Sequence, residues 1–289
     1  MKNIGTLFCF GLGYSAMALS RRLDAEGWTI HGTCQNVERC NALSALGIKA
    51  EVFDGKKRMK STAILENSTH VLLSIPPSIE GDPALQHHAK DIADLGSVKW
   101  VGYLSTTGVY GNYNGNWVDE TSALKPTSRR SEQRLLAEKS WRNWGRETNI
   151  PTQIFRLAGI YGPGRSVLDR IKAGTATRIS KPGHYFSRIH VEDLASVLYA
   201  SINKPIPDGV YNVCDDEPAE PTSVTAYACN LLGRTPPTEI SIDDAALSPM
   251  AKTFWRDNKR VRNNRIKEQL GVELAFPNYR SGLHGLVSG

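Results

Sequence analysis

The 289-residue sequence contains no apolar run approaching the roughly 20 residues needed to span a bilayer, so no transmembrane helix is expected. Cysteine is scarce: Cys9, Cys34, Cys40, Cys214 and Cys229. Their number is odd and no two have CxxC spacing, which argues against a zinc site and against a disulfide framework. Reduced, mostly structural thiols are expected. The N-terminal apolar stretch, residues 4–10, is too short for a signal-peptide core and runs into a glycine turn, so the cytoplasm is the expected location. Internal repeats, low-complexity tracts and long linkers are also lacking. The net charge is +6 with a pI near 9, but the basic residues are scattered. Their densest stretch, residues 256–267, has no interleaved aromatics. A solvated basic face, or attraction of an anionic small-molecule substrate, fits better than nucleic-acid binding. The expected partners are therefore a small molecule, with no nucleic acid and no membrane, and the chain is expected to be a monomer or homodimer.

What is present is alternation. Apolar runs at residues 6–10, 28–33, 50–53, 70–75, 99–104, 152–157 and 209–214 read as strands. Helical spacing appears at 16–23, 35–46, 85–95, 131–144 and 191–200. Strand–helix alternation with short turns predicts an α/β fold, a Rossmann-type doubly wound parallel sheet. Beyond Tyr161-Gly162-Pro163-Gly164 the pattern loosens. The expected division is a dinucleotide-binding domain over 1–162 with a returning segment 187–215. A small C-terminal substrate lobe takes 163–186 and 216–289.

The first strand ends in Phe10-Gly11-Leu12-Gly13-Tyr14-Ser15-Ala16, a GxGxxA turn opening a helix. Gly11 permits the tight turn, Gly13 lets backbone approach a pyrophosphate, and Ala16 allows helix to pack closely on strand. The helix N-terminus, with Tyr14 and Ser15, favours phosphate. A carboxylate at the end of the second strand would bond the ribose hydroxyls of NAD, and Thr33-Cys34-Gln35-Asn36-Val37-Glu38-Arg39 offers none at that place. A 2′-phosphate is not repelled there and Arg39 can pair with it. The cofactor is NADP or NAD, with the balance toward NADP.

Several further segments carry a resemblance. Ser105-Thr106-Thr107-Gly108-Val109-Tyr110-Gly111, Glu120, Pro126, Arg156-Leu157-Ala158-Gly159-Ile160-Tyr161-Gly162-Pro163-Gly164, Ile189-His190-Val191-Glu192-Asp193-Leu194-Ala195 and Tyr211-Asn212-Val213 follow in order. Together they resemble the extended short-chain dehydrogenase/reductases, the NAD-dependent epimerase/dehydratase group. The resemblance implies coenzyme contacts from Gln35, Asn36, Asp54, Ser74, Pro76, Ser105, Leu157 and Ile160. It also implies a catalytic role for Thr106. Arg165, Arg188 and Arg256, with Tyr161, are candidate contacts to an anionic substrate.

The departures bear on chemistry. The first glycine of the family's GxxGxxG is Phe10. The family's Tyr-x-x-x-Lys pair is replaced: aligning Glu138 with its helix glutamate puts Arg130 at the tyrosine and Arg134 at the lysine position. None of the ten tyrosines has a lysine four residues later. Arginine does not exchange protons near neutral pH. Arg134 keeps only the lysine's charge and hydrogen bonds to a ribose. The remaining candidate donors are Tyr110, Tyr161 and Tyr103, whose ordinary role is packing. His190 is expected to anchor the returning helix. The pattern resembles atypical YeeZ-like short-chain dehydrogenases, which also lack the tyrosine. Two functions follow: an NAD(P)-dependent oxidoreductase or epimerase acting on a hydroxyl or carbonyl of a sugar nucleotide or similar metabolite, or a non-catalytic NAD(P)-binding protein that reports redox state.

Overall fold

The computed structural model describes residues 4–288, without the side chains of residues 249 and 250. Strand β1 (Thr6–Phe10) leads through the glycine turn into α1 (Tyr14–Asp24), then β2 (Thr29–Cys34), α2 (Val37–Ser44), β3 (Lys49–Val52), β4 (His70–Leu73), α3 (Pro83–Asp94) and β5 (Trp100–Thr106). There follow β6 (Trp117–Val118), α4 (Arg129–Thr148), β7 (Thr152–Leu157), β8 (Gly159–Tyr161), α5 (Val167–Lys172), β9 (Arg178–Ser180), β10 (Arg188–His190), α6 (Val191–Asn203) and β11 (Val210–Val213). The C-terminal stretch adds α7 (Pro221–Leu231), β12 (Glu239–Ser241), α8 (Pro249–Arg256), β13 (Arg260–Val261), α9 (Asn264–Glu268) and α10 (Tyr279–Ser288).

Seven strands form one sheet in the order β11-β7-β5-β4-β1-β2-β3. The pairings of β1 with β2 and β4, β2 with β3, and β4 with β5 are parallel. The expected Rossmann-type sheet is thus present, and its order reverses between β1 and β4. Ligands of open α/β sheets bind at such a switch point, outside the carboxyl ends of the strands. The burial of β1 explains its apolar run Leu7-Phe8-Cys9-Phe10: all five residues of the strand are buried, as a strand covered on both faces requires.

Element ends differ from the periodicity by a few residues, each for a local reason. Helix α2 starts at Val37 rather than residue 35 because the Asn36 side chain accepts from the Arg39 N–H at 2.9 Å and caps it. Strand β4 stops at Leu73, before the Pro76-Pro77 turn. Helix α4 extends past residue 144, its Trp141 and Trp144 packed edge to face at 5.3 Å.

The chain divides into two compact units, 1–105 with 132–156 and 195–211, and 106–131 with 157–194 and 212–289. The first has a core of Phe8, Phe10, Phe53, Leu73, Tyr103, Trp141 and Ile154. The second is built on Leu168, Ile171, Val224, Ala228, Tyr279 and Leu283. No helix of the described residues is long and apolar enough to cross a membrane.

Candidate functional site

In the first unit the glycine turn lies at the switch point. Gly11 has φ +92°, and a Cβ there would lie 2.8 Å from Ile75 Cγ2, so only glycine fits without strain. Its N–H donates to Thr33 Oγ1 at 2.9 Å, and Leu12 N–H to the Thr33 carbonyl at 2.9 Å. The end of β2 thereby holds the turn. Gly13 occupies the N-cap of α1 with no side chain capping the helix. A Cβ on Gly13 would meet nothing within 4 Å. Open space over an uncapped helix start is what an anionic group needs. Ser15 and Ala16 are buried against the sheet, as a close-packed third small residue requires, and Tyr14 is half-buried. A feature missed in the sequence supports the turn: a Cβ on Gly32 would lie 2.4 Å from the Cys9 carbonyl oxygen.

Beside this turn, Gln35 and Asn36 are exposed on the loop after β2, and Arg39 is exposed in the first turn of α2. Asp54, exposed after β3, accepts from Lys56 N–H at 2.9 Å. Ser74 donates its N–H to the Phe10 carbonyl at 2.9 Å, which brings the end of β4 to the turn, with exposed Pro76 two residues on. One expectation is corrected here: Cys34 and Cys40 are not both free thiols but bonded to one another. Their six-residue spacing carries no recognised motif, and only α2 brings the second sulfur back to the strand end. Cys9, Cys214 and Cys229 are free and buried.

Helix α4 places its residues differently from a catalytic pair. Arg130 is exposed. Arg134 is buried, donates to the Leu104 carbonyl, and stands 3.4 Å from Tyr103 Oη with its guanidinium 5.7 Å from that ring. Burial pushes the Tyr103 phenol up, against the direction a proton-transferring phenol needs. One turn on, Glu138 accepts from Ser105 Oγ at 2.5 Å and from Arg156 Nη2 at 2.9 Å, all three side chains buried. Ser105 is thus tied to a buried ion pair.

In the second unit, Thr106 is half-buried and its Oγ1 accepts from the Gly108 N–H at 3.1 Å, which caps a short turn over Thr107–Tyr110. Tyr110 is buried and donates its hydroxyl to Asn212 Oδ1 at 2.7 Å. Gly111 follows with φ +71°, and a Cβ there would lie 1.8 Å from the Lys125 carbonyl oxygen. Lys259, which the sequence did not single out, donates its Nζ to the Gly111 carbonyl at 2.9 Å, and burial lowers its pKa. Leu157 is buried, and Ile160 is half-buried on β8. Arg165 is exposed. Arg256 donates to the Thr127 carbonyl.

Tyr161 is buried and its hydroxyl has no hydrogen-bond partner among the described residues. Burial raises its pKa, as it does for Tyr103. His190 packs against Tyr161 at 5.2 Å and Phe276 at 4.1 Å, and its Nδ1 accepts from Glu192 N–H at 3.3 Å. That is an anchoring role at the start of α6, and burial lowers its pKa. Asp193 grips the chain downstream, its two oxygens accepting from Ala275 and Phe276 N–H at 2.8 and 2.9 Å. Arg188 donates to the carbonyls of Phe186 and Ala219 at 2.8 and 3.1 Å. Asp215 is almost wholly buried and its Oδ2 has no hydrogen-bond partner among the described residues; burial pushes its pKa from 3.8 up to about 8, partly offset by the Arg188 charge.

The Asp215 shift has a definite sign. The folded chain holds this proton between about pH 4 and 8, while the unfolded chain releases it. Unfolding is therefore favoured as pH rises through that window, at up to about 1.4 kcal/mol per pH unit from this group. Asp215→Asn is expected to flatten the fall in stability across the window. Urea unfolding of both proteins at several pH values checks it; an unchanged slope in the variant would refute the assignment.

Residues 88–214 match the model of the NAD dependent epimerase/dehydratase family. The chain is similar to a functionally unknown conserved protein from Silicibacter pomeroyi DSS, at 48% identity and a TM-score of 0.89 over 98% of each chain. Protein YeeZ of Escherichia coli (strain K12) is 26% identical over 283 residues, 92% of this chain and 94% of its own length. UDP-glucuronic acid 4-epimerase from Bacillus cereus, solved in complex with NAD, has a TM-score of 0.75 over 98% of this chain and 97% of that one. At 14% identity it shows the fold alone. The middle of the chain thus matches the NAD dependent epimerase/dehydratase family model, and the chain as a whole is similar to YeeZ over most of both lengths.

Proposed function

We propose that the chain binds NADP or NAD at its glycine turn and acts as an atypical oxidoreductase or epimerase on a hydroxyl or carbonyl of an anionic metabolite such as a sugar nucleotide. The observation that carries this reading is Gly13: an uncapped helix start with open space above it, at the sheet's switch point. In this reading the segment 1–162 with 187–215 holds the coenzyme, and 163–186 with 216–289 meets the substrate. Gly11, Gly13, Tyr14, Ser15 and Ala16 receive the pyrophosphate. Gln35, Asn36, Arg39 and Asp54 receive the adenosine, and exposed Arg39 suits a 2′-phosphate. Ser74, Pro76, Ser105, Leu157 and Ile160 complete the coenzyme site. A bound nicotinamide coenzyme supplies hydride transfer, and the protein supplies orientation and electrostatics. Thr106 is the hydroxyl assigned to hold the substrate, and the cytoplasm is the assigned compartment. The chain acts as a monomer or homodimer.

A second reading is favoured by a specific observation. Tyr103 and Tyr110 are committed to internal contacts, Tyr161 is buried with its pKa raised, and Arg134 donates to Leu104. A chain with every candidate phenol built into packing suits a non-catalytic NAD(P)-binding protein. Thermal shift with NAD, NADH, NADP and NADPH tests the shared claim, and NADP or NADPH is expected to give the largest rise. No shift with any of the four overturns it. Turnover of the reduced coenzymes with sugar nucleotides then separates the enzyme from the sensor.

A further inference from the structure

The bonded pair Cys34–Cys40 joins the last residue of β2 to the first turns of α2. Their Cα atoms are 6.0 Å apart, within the span a disulfide bridges without backbone movement. Both side chains are buried, yet every residue between them, 35–39, is exposed. The pair therefore ties down the two feet of an exposed arch. That arch carries Gln35, Asn36 and Arg39.

Both redox states have a place for the sulfur. The Cys34 Sγ lies 3.3 Å from the Asn36 carbonyl oxygen and 3.8 Å from that of Glu51, acceptors for the weak donor of a reduced thiol. The backbone is held without either: Cys40 N–H donates to the Asn36 carbonyl at 3.2 Å, Arg39 N–H to Asn36 Oδ1 at 2.9 Å, and Phe53 N–H to the Cys34 carbonyl at 2.9 Å. Breaking the bond therefore removes the covalent tie across the arch, while these hydrogen bonds keep the strand end and the start of α2 in place. The other three cysteines are free.

We propose that Cys34 and Cys40 are a reversible redox modification site, and that closing the disulfide tightens coenzyme binding by pre-ordering the arch that receives the adenosine ribose; the effect on binding rests on the coenzyme reading above. An ordered loop loses less freedom when it takes up a ligand. The co-reactant is a low-molecular-weight disulfide. The thiolate of one cysteine attacks it, forming a mixed disulfide and releasing one small thiol. The thiolate of the other cysteine then attacks the mixed disulfide, closing the protein bond and releasing the second small thiol. Two protein thiols are oxidised by two electrons, and the small disulfide is reduced to two thiols. Access comes through local opening of the exposed 35–39 span. In a reducing compartment such a bond is transient and sensing rather than a permanent staple.

The test compares the full chain treated with glutathione disulfide against the chain treated with a phosphine reductant, and Cys40→Ser under both conditions. Peptide mapping without reduction is expected to find Cys34 and Cys40 joined after oxidation and free after reduction. NADPH and NADH titrations are expected to show affinity about three- to tenfold higher in the oxidised protein. Cys40→Ser should bind like the reduced protein in both treatments. Failure of the bond to form, or to be reduced, overturns the proposal. So does equal or weaker coenzyme binding by the oxidised form. Absence of coenzyme binding in every sample overturns the coenzyme reading instead, and the binding effect with it, while the peptide map still decides whether the pair is redox-active.

Discussion

Gly13→Asp is expected to abolish coenzyme binding while leaving the fold as stable as before. Gly13 stands at the N-cap of α1 with ordinary backbone angles, and a side chain there meets nothing within 4 Å. Aspartate is a better N-cap than glycine by a few tenths of a kcal/mol. Its charge beside the helix start adds about 0.3–1 kcal/mol. Stability should thus hold or rise. The same carboxylate sits where the pyrophosphate would approach, and two like charges about 4 Å apart cost about 4 kcal/mol at the effective dielectric of a protein surface. A loss of coenzyme affinity of at least about 100-fold follows, ~2.7 kcal/mol. Titration of NADPH and NADH, with Tm measured alongside, checks both halves. Retained affinity would show that the phosphates do not sit at this helix start. Gly11→Ala is the contrasting control: φ +92° and the 2.8 Å approach to Ile75 make it lose stability as well as binding.

Glu138→Gln is expected to cost about 3–5 kcal/mol of folding stability. Glu138 and Arg156 form an ion pair at 2.9 Å whose side chains are 2% and 4% exposed. Removing the carboxylate charge leaves a buried guanidinium facing a neutral amide, and desolvation of that cation is no longer offset. Ser105, whose hydroxyl donates to the same carboxylate, loses the stronger acceptor too. The double change Glu138→Leu with Arg156→Met removes both charges and should recover most of the loss, since apolar replacement of a whole buried pair is close to neutral. Urea unfolding of the single and double variants decides the matter. A single-variant cost below about 1 kcal/mol would mean that water or another group already screens the pair.

The parts of this fold that were legible in the sequence are those set by periodicity and by glycine chemistry. The run at residues 6–10, the GxGxxA turn and the strand at 152–157 stand where the pattern puts them; both strands are buried along their whole length, and in β7 the buried Gln153 and Arg156 are held by internal partners. Helix ends were less legible. The start of α2 depends on one Asn36 side chain reaching one N–H, and propensity over a window does not resolve that. The chemistry of the site was legible in residue type but not in orientation. Arg134 and Tyr110 lie on the segments that resemblance selects, yet Arg134 donates to Leu104 and Tyr110 to Asn212. Whether a side chain turns inward is decided by partners distant in sequence. Lys259, 148 residues from Gly111, and Asp193, more than 80 residues from the amides it binds, are such cases. The cysteine count argued for free thiols, and the pairing of Cys34 with Cys40 came from the return of a helix over its own strand.

The division of the chain has a consequence for inheritance. The first unit is assembled from residues 1–105, 132–156 and 195–211, so the polypeptide leaves it and returns twice before it is complete. No single break in the gene yields either unit whole. Recombination at one crossover, which readily shuffles domains strung end to end, would here join half a sheet to a foreign partner and leave β7 or β11 without its neighbour. The two units are therefore expected to have been passed on together, and variation in either to have come by substitution rather than by exchange of a module.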